Sequence, residues 1–212
     1  MNESDWAFAA VALSAVFFVI DPLANVPIFL TITAGDTTQQ RRSTALRAAM
    51  AAWITLCVFA LAGGVIFKLF GISLGAFKIA GGIMLMLMSI DMMRAQPSRT
   101  RTTEEEQAEG RSKDDVAIFP LAIPMLAGPG AIAMVMVLMS RAAWKPIPTA
   151  AVFVAVTATC LAAWLLMRSA ASADKYLPKT VLRAFERIMG LLLAAVAVEF
   201  VAGGVRDMIN GT

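Results

Sequence analysis

Asp21 is the residue of this chain with the most chemistry to offer, because of where it stands. It lies inside an apolar run, Trp6–Thr33, about 22 Å along an ideal helix from Trp6. Pro22 follows it directly, Asn25 stands one helical turn on, and Pro27 closes the motif Asp21-Pro-Leu-Ala-Asn-Val-Pro27. A carboxylate there can hold a cation, and the Asn25 amide offers two donors and an acceptor. A hydrogen bond between helices is the structural alternative for Asn25. A second cluster, Ala127-Gly128-Pro129-Gly130-Ala131, offers the opposite chemistry. Gly128 and Gly130 permit backbone geometry closed to other residues, and Pro129 favours the first position of a helix. The N–H groups of Gly130, Ala131 and Ile132 are then expected to point at the break, where the positive helix end can hold a carboxylate or another anion.

Two further carboxylates fall inside apolar runs. Glu199 is central in the last run with no Lys or Arg within one turn, and a coupling or gating role is expected of it. Asp91 stands near the end of the third run, three residues before Arg94, so an ion pair at the membrane surface competes with a relay role. The chain has no His, which removes the usual metal ligand and the commonest proton relay, so proton chemistry falls to carboxylates. Cys57 and Cys160 stand alone without metal spacing and read as small buried apolar residues. No phosphate loop, nucleophile–base pair or metal cluster is present in the sequence; neither enzyme activity nor a cofactor is expected.

The elements that must position these residues are membrane helices. Hydrophobic residues make up 59% of the 212-residue chain and charged residues 16%, against about 45–50% and about 25% in soluble domains. The apolar residues fall in six runs: 6–33, 44–68, 72–94, 116–140, 147–167 and 185–205. Each is long enough to cross a hydrocarbon core, and stretches such as 79–90 lack the polar stripe of a soluble helix. The first run carries Glu3 and Asp5 and no cation in its leading segment, which reads as a spanning helix rather than a signal peptide. The loops after the first, third and fifth runs hold most of the Lys and Arg, among them Arg41, Arg42, Arg99, Arg101, Lys113, Lys175 and Lys179. The positive-inside rule makes that face cytoplasmic and leaves both termini outside. Lys68, Lys78, Arg141 and Lys145 fall near the outer interface, where snorkelling is expected. The net charge of +3 is this loop bias and points to no nucleic acid.

The runs form two sets of three. Pro22 and Pro27 are matched by Pro124 and Pro129, and Ala76-Phe77 with Gly82 is matched by Ala184-Phe185 with Gly190, a register that sets Asp91 opposite Glu199. Three spans per half force the second half to enter the membrane from the opposite side, giving inverted repeats. The expected fold is all-α and integral to the membrane. It has six helices in two inverted three-helix repeats, residues 1–94 and 116–212, joined by a charged cytoplasmic linker over 95–115. The first and fourth helices are broken at Pro and Gly. A Pro inside a spanning helix frees backbone groups that need partners. Asp is a strong N-cap, so the first break is expected to restart a helix at Pro22 with Asp21 capping it. Paired breaks, one with a carboxylate, point to a site for a solute or an ion. Gly pairs such as Gly63-Gly64, Gly81-Gly82 and Gly203-Gly204 read as packing faces that also permit a homo-oligomer.

The segments 21–29, Gly71-Ile-Ser to Ala80-Gly-Gly82, and Pro120-Leu-Ala-Ile-Pro-Met-Leu-Ala-Gly-Pro-Gly130 resemble the MarC family of bacterial and archaeal inner-membrane proteins, over nearly the whole chain. Ala24 departs from the Gly more usual there. The resemblance implies six spans, the bacterial inner membrane and, from some relatives, transport of small neutral amino acids such as alanine or glycine. Such a zwitterion needs an anion site and a cation site. The N–H groups of Gly130 and Ala131 would take the carboxylate and Asp21 with Asn25 the ammonium, while Ala127 and Gly128 leave space for a small side chain only. The expected partners are therefore the lipid bilayer, a small-molecule substrate, and a coupling ion, proton or sodium. The alternative is a non-transporting scaffold or stress-response component, in which the breaks only shape packing. A drug exporter would be expected to have an aromatic-lined cavity, and 8% of the chain is aromatic.

Overall fold

A computed structural model describes residues 3–94, 117–173 and 179–210. The linker, with Glu104, Glu105, Glu106 and Glu109, lies outside the described residues. Among the described residues all regular structure is helical: α1 Glu3–Ile20, α2 Asn25–Ile32, α3 Thr38–Phe70, α4 Leu74–Met93, α5 Ala117–Leu126, α6 Pro129–Ala142, α7 Pro146–Ala173 and α8 Lys179–Asn210. Among the described residues, five stretches are long and apolar enough to cross a membrane, the α1–α2 pair counting as one, Asp5–Ile32. The α5–α6 pair, bent by 56°, is a sixth if taken as one span.

The helix ends follow local chemistry. Thr37 and Gln40 form a reciprocal capping box at the start of α3, with the Thr37 N–H donating to Gln40 Oε1 at 2.8 Å. Gly71 ends that helix at φ 63°, a conformation that costs glycine nothing, and the Ile72 N–H returns to the Phe67 carbonyl at 3.0 Å. Two residues later Ser73 Oγ accepts from the Ala76 N–H at 3.1 Å and starts α4.

α6 is the central element, and most of its residues are buried. α3 packs against α5 and α6, α1 packs against α7, and α3 and α7 pack on each other. The Trp53 indole N–H donates to Thr157 Oγ1 at 2.9 Å across that last pair. The tightest pair is α4 with α8, which run antiparallel along a glycine seam. A Cβ added at Gly204 would lie 2.6 Å from the Gly75 carbonyl oxygen, one at Gly82 2.9 Å from that of Ala197, and one at Gly190 3.0 Å from that of Ser89. Lipid tails are as apolar as leucine, so such contact, rather than exclusion from water, holds helices together in a membrane. Large apolar residues such as Leu69, Val154 and Leu191 stay exposed on the outside of the bundle, as a lipid-facing surface requires.

Lys78 corrects an expectation. It does not snorkel: it is buried and pairs with Asp207 on α8. The seam at Gly75 and Gly204 draws the two helices so close that Asp207 lies within reach of the Lys78 ammonium. Cys57 is half-buried and Cys160 buried, both as free thiols.

Candidate functional site

The first break is short and polar. α1 closes with the Asp21 N–H donating to the Phe17 carbonyl at 2.9 Å, and Asp21 itself takes the left-handed conformation, φ 49°. Asp and Asn are among the few residues other than glycine that visit this region readily. Asp21 Oδ1 accepts from the Ala24 N–H at 3.2 Å, so the carboxylate does cap the turn that follows. The helix restarts later than the sequence suggests: residues 22–24 form a turn, and α2 begins at Asn25 with Ala24 before it. The cause is Asn25. Its amide nitrogen donates to the carbonyls of Ile20 and Asp21, both at 2.9 Å, and so satisfies the end of α1 from the first residue of α2. Pro27 falls in the first turn of α2, where a missing N–H costs nothing. Thr31 and Thr33 bond back to Pro27 and Phe29, and the buried Arg41 Nε donates to the Thr33 carbonyl at 2.9 Å, closing α2.

Burial makes these polar atoms consequential. Asp21 is 3% and Asn25 1% exposed, with Pro22 buried beside them. Both nitrogen-borne bonds of Asn25 are spent on the backbone, whereas its Oδ1 is buried and meets no hydrogen-bond partner among the described residues. An unused acceptor at that depth is destabilising unless something binds it.

The second break is longer and apolar. Phe119 and Ile123 are extended, with ψ 124° and 122°, because the residue before a proline is pushed out of the helical region. Pro120 and Pro124 follow them through cis peptide bonds. The turns of α5 are wide: the Ala127 N–H reaches back five residues to the Ala122 carbonyl at 2.8 Å. The interruption thus runs through all of α5, not only from Pro124 to Gly130.

Gly128 and Gly130 are small for reasons inside the protein. A Cβ at Gly128 would lie 2.5 Å from the Pro124 carbonyl oxygen, and one at Gly130 2.5 Å from Leu85 Cδ2 on α4. At both glycines the place of a side chain is thus taken by the protein's own atoms. The Ile132 N–H does not face the break but donates to the Gly128 carbonyl at 3.0 Å in the first turn of α6. Only Gly130 and Ala131 keep the expected place ahead of that bond; both are buried, and Pro129 is exposed.

The two breaks belong to neighbouring spans: α1 packs against α6 and α2 touches α5. Ile20, Ala24, Ala127 and Ala131 share one buried cluster. A cavity of about 210 Å³ lies between α3 and α6, lined by Ala60, Gly64, Phe67, Met136, Met139 and Ser140 among others. None of its lining residues belongs to either break; Met136 stands about 9 Å beyond Gly130 along α6.

The other two carboxylates do not join this region. Asp91 is half-buried in the last turn of α4, three residues beyond Met88, whose sulfur lies near Gly130. Glu199, central along the last apolar run, is exposed on α8. α8 is apolar nearly all round, so its composition does not say which side faces in. Two residues escaped the sequence reading. Asp207 escaped because its partner is distant in the chain. Thr159, wholly buried on α7 with an Oγ1 that meets no partner among the described residues, had only its place in an Ala- and Val-rich run as a signal.

The sequence model of a family described as MarC family integral membrane proteins matches residues 6–209. The UPF0056 membrane protein YvbG of Bacillus subtilis is 36% identical over 205 residues, 96% of each chain. A UPF0056 membrane protein of Methanocaldococcus jannaschii is 37% identical over 208 residues, 97% of this chain and 99% of its own. The UPF0056 membrane protein YhcE of Escherichia coli is 32% identical over 197 residues, 92% of this chain and 91% of its own. No solved structure matches the chain.

Proposed function

This chain belongs to the MarC family of integral membrane proteins, and from that premise we propose that it is a transporter of a small polar solute, best matched by a small neutral amino acid such as alanine or glycine. The observation that carries this reading is the first break, where a carboxylate and a carboxamide are almost wholly buried inside a membrane span. Ionisable and amide groups at that depth are costly and mark substrate or ion routes. Asn25 Oδ1 is an acceptor waiting for a donor, and an ammonium group is the donor that Asp21 beside it would also favour. The N–H groups of Gly130 and Ala131, at the positive end of α6, are the anion-binding counterpart. With Gly128 and Gly130 filled by Pro124 and Leu85, room for a solute forms when the two spans part, and the cavity between α3 and α6 is the approach from the outer side.

Inverted repeats suit this mechanism and are supported by the packing. α1 lies on α7 as α5 and α6 lie on α3, while α3 with α7 and α4 with α8 pair across the halves. That is the exchange of partners a pseudo-twofold axis in the membrane plane produces, and rocking about a midplane site follows from it. The bacterial inner membrane, with both termini outside and a proton or sodium ion as coupling ion, completes the proposal, and no catalytic role is assigned.

A second reading has its own observation. The filled glycines favour the second break as a packing device, as in a non-transporting scaffold. Counterflow of radiolabelled alanine or glycine in proteoliposomes separates the two. Accumulation by the wild type that is lost in Asp21→Asn supports transport; no accumulation above empty liposomes for either solute contradicts it.

A further inference from the structure

Glu199 is a carboxyl group in a membrane span that the proposed solute site does not use. It lies midway along the spanning part of α8, about 18 Å from Arg187 and about 17 Å from Asn210, and it is exposed. Charged groups in spans almost always face the bundle interior, a partner group or a water-filled cavity. The interior is not available here, because α8 leans on α4 along its length and only grazes α1. The bare side is a continuous stripe: Leu192, Ala195, Glu199 and Arg206 are exposed, and Ala202 and Gly203 half-buried. A Cβ added at Gly203 would meet nothing within 4 Å. Small residues thus flank the carboxyl group one turn to either side, the arrangement that lets two membrane helices approach closely.

We infer that this face of α8 is the interface of a parallel homodimer in which the Glu199 carboxyl groups of two copies hydrogen-bond across the twofold axis. Two copies inserted the same way hold Glu199 at the same depth, and an axis along the membrane normal brings a surface patch against its own image. A carboxylic acid carries a donor and an acceptor in one group, so it is its own complement, which lipid tails are not. The inference is independent of transport, since neither break touches this surface.

The test uses the whole chain with Cys57→Ala and Cys160→Ala and a single new thiol, Gly203→Cys, oxidised mildly in native membranes. A disulfide-linked dimer is expected, with none from Val154→Cys on the exposed side of α7. Adding Glu199→Leu lowers the cross-linked fraction about 3- to 30-fold, the range for interhelical hydrogen bonds in membranes. Glu199→Gln, which still pairs with its own image, retains it and shows that α8 has not simply misfolded. Equal cross-linking at residues 203 and 154, no response to Glu199→Leu, or capture of a different protein at residue 203 each overturns the inference.

Discussion

The two broken spans share a Pro-x4-Pro pattern and solve the break in different ways. In the first, a side chain mends the backbone: the Asn25 amide satisfies two carbonyls at the end of α1, and Asp21 takes the left-handed position and caps the next turn. In the second, the backbone mends itself through wide turns, and neighbouring atoms fill the glycines. The first break therefore concentrates polar atoms and leaves one acceptor unused, while the second is a packed 56° bend. A proline pattern announces that a membrane helix is interrupted. The residues around it decide whether the interruption becomes a site or a hinge.

Substitutions can break this comparison. The largest loss of stability is expected from Asn25→Leu, which strands the carbonyls of Ile20 and Asp21 at about 1–3 kcal/mol for each buried group. Asn25→Asp should be nearly as damaging, because it keeps the acceptor and loses the donors; equal thermal stability of Asn25→Asp and wild type would place the mending elsewhere. Next comes Gly128→Ala, where the new methyl meets the Pro124 carbonyl and overpacking costs about 1–3 kcal/mol. A shift of several degrees in thermal unfolding is expected, and none if the second break is loosely packed. Asp21→Asn should change stability by less than about 1 kcal/mol, since Asn accepts the left-handed conformation and can still cap Ala24. The smallest effect serves as a control outside both breaks. Trp53→Phe removes the bond to Thr157 and costs about 0.6 kcal/mol, the average for a hydrogen bond between membrane helices.

Much of this was legible in the sequence where the cause is local. The apolar runs reappear, among the described residues, as five helical stretches long enough to cross a membrane, with the bent α5–α6 pair as a sixth if taken as one span, because length and composition alone decide what can cross a bilayer. The interruption at Asp21-Pro22 was legible because it acts within one turn; the expected cap was realised only as the Asp21 bond to the Ala24 N–H in the turn before α2, whose own N-cap, Ala24, has no side-chain bond. What failed required knowledge of neighbours. Leu85 reaching into Gly130 joins residues of α4 and α6, and no pattern around residue 130 reveals it. Lys78 meets Asp207 only because the seam through Gly75 and Gly204 aligns α4 and α8. The outward turn of Glu199 was hidden because α8 offers no polar face to set its rotation. The late start of α2 was hidden because nothing in the sequence shows that the Asn25 amide turns back to the carbonyls of Ile20 and Asp21.

The central claim is that solute recognition resides in the first break. Its most direct test is the thermal unfolding of purified protein titrated with alanine or glycine, wild type against Asp21→Asn and Gly128→Ala. The expected result is stabilisation of wild type and of Gly128→Ala at similar solute concentrations. For Asp21→Asn the response should weaken about 10- to 100-fold, the loss of a charge-assisted hydrogen bond. Solute stabilisation that is unchanged in Asp21→Asn and abolished in Gly128→Ala would move the site to the second break and contradict the account.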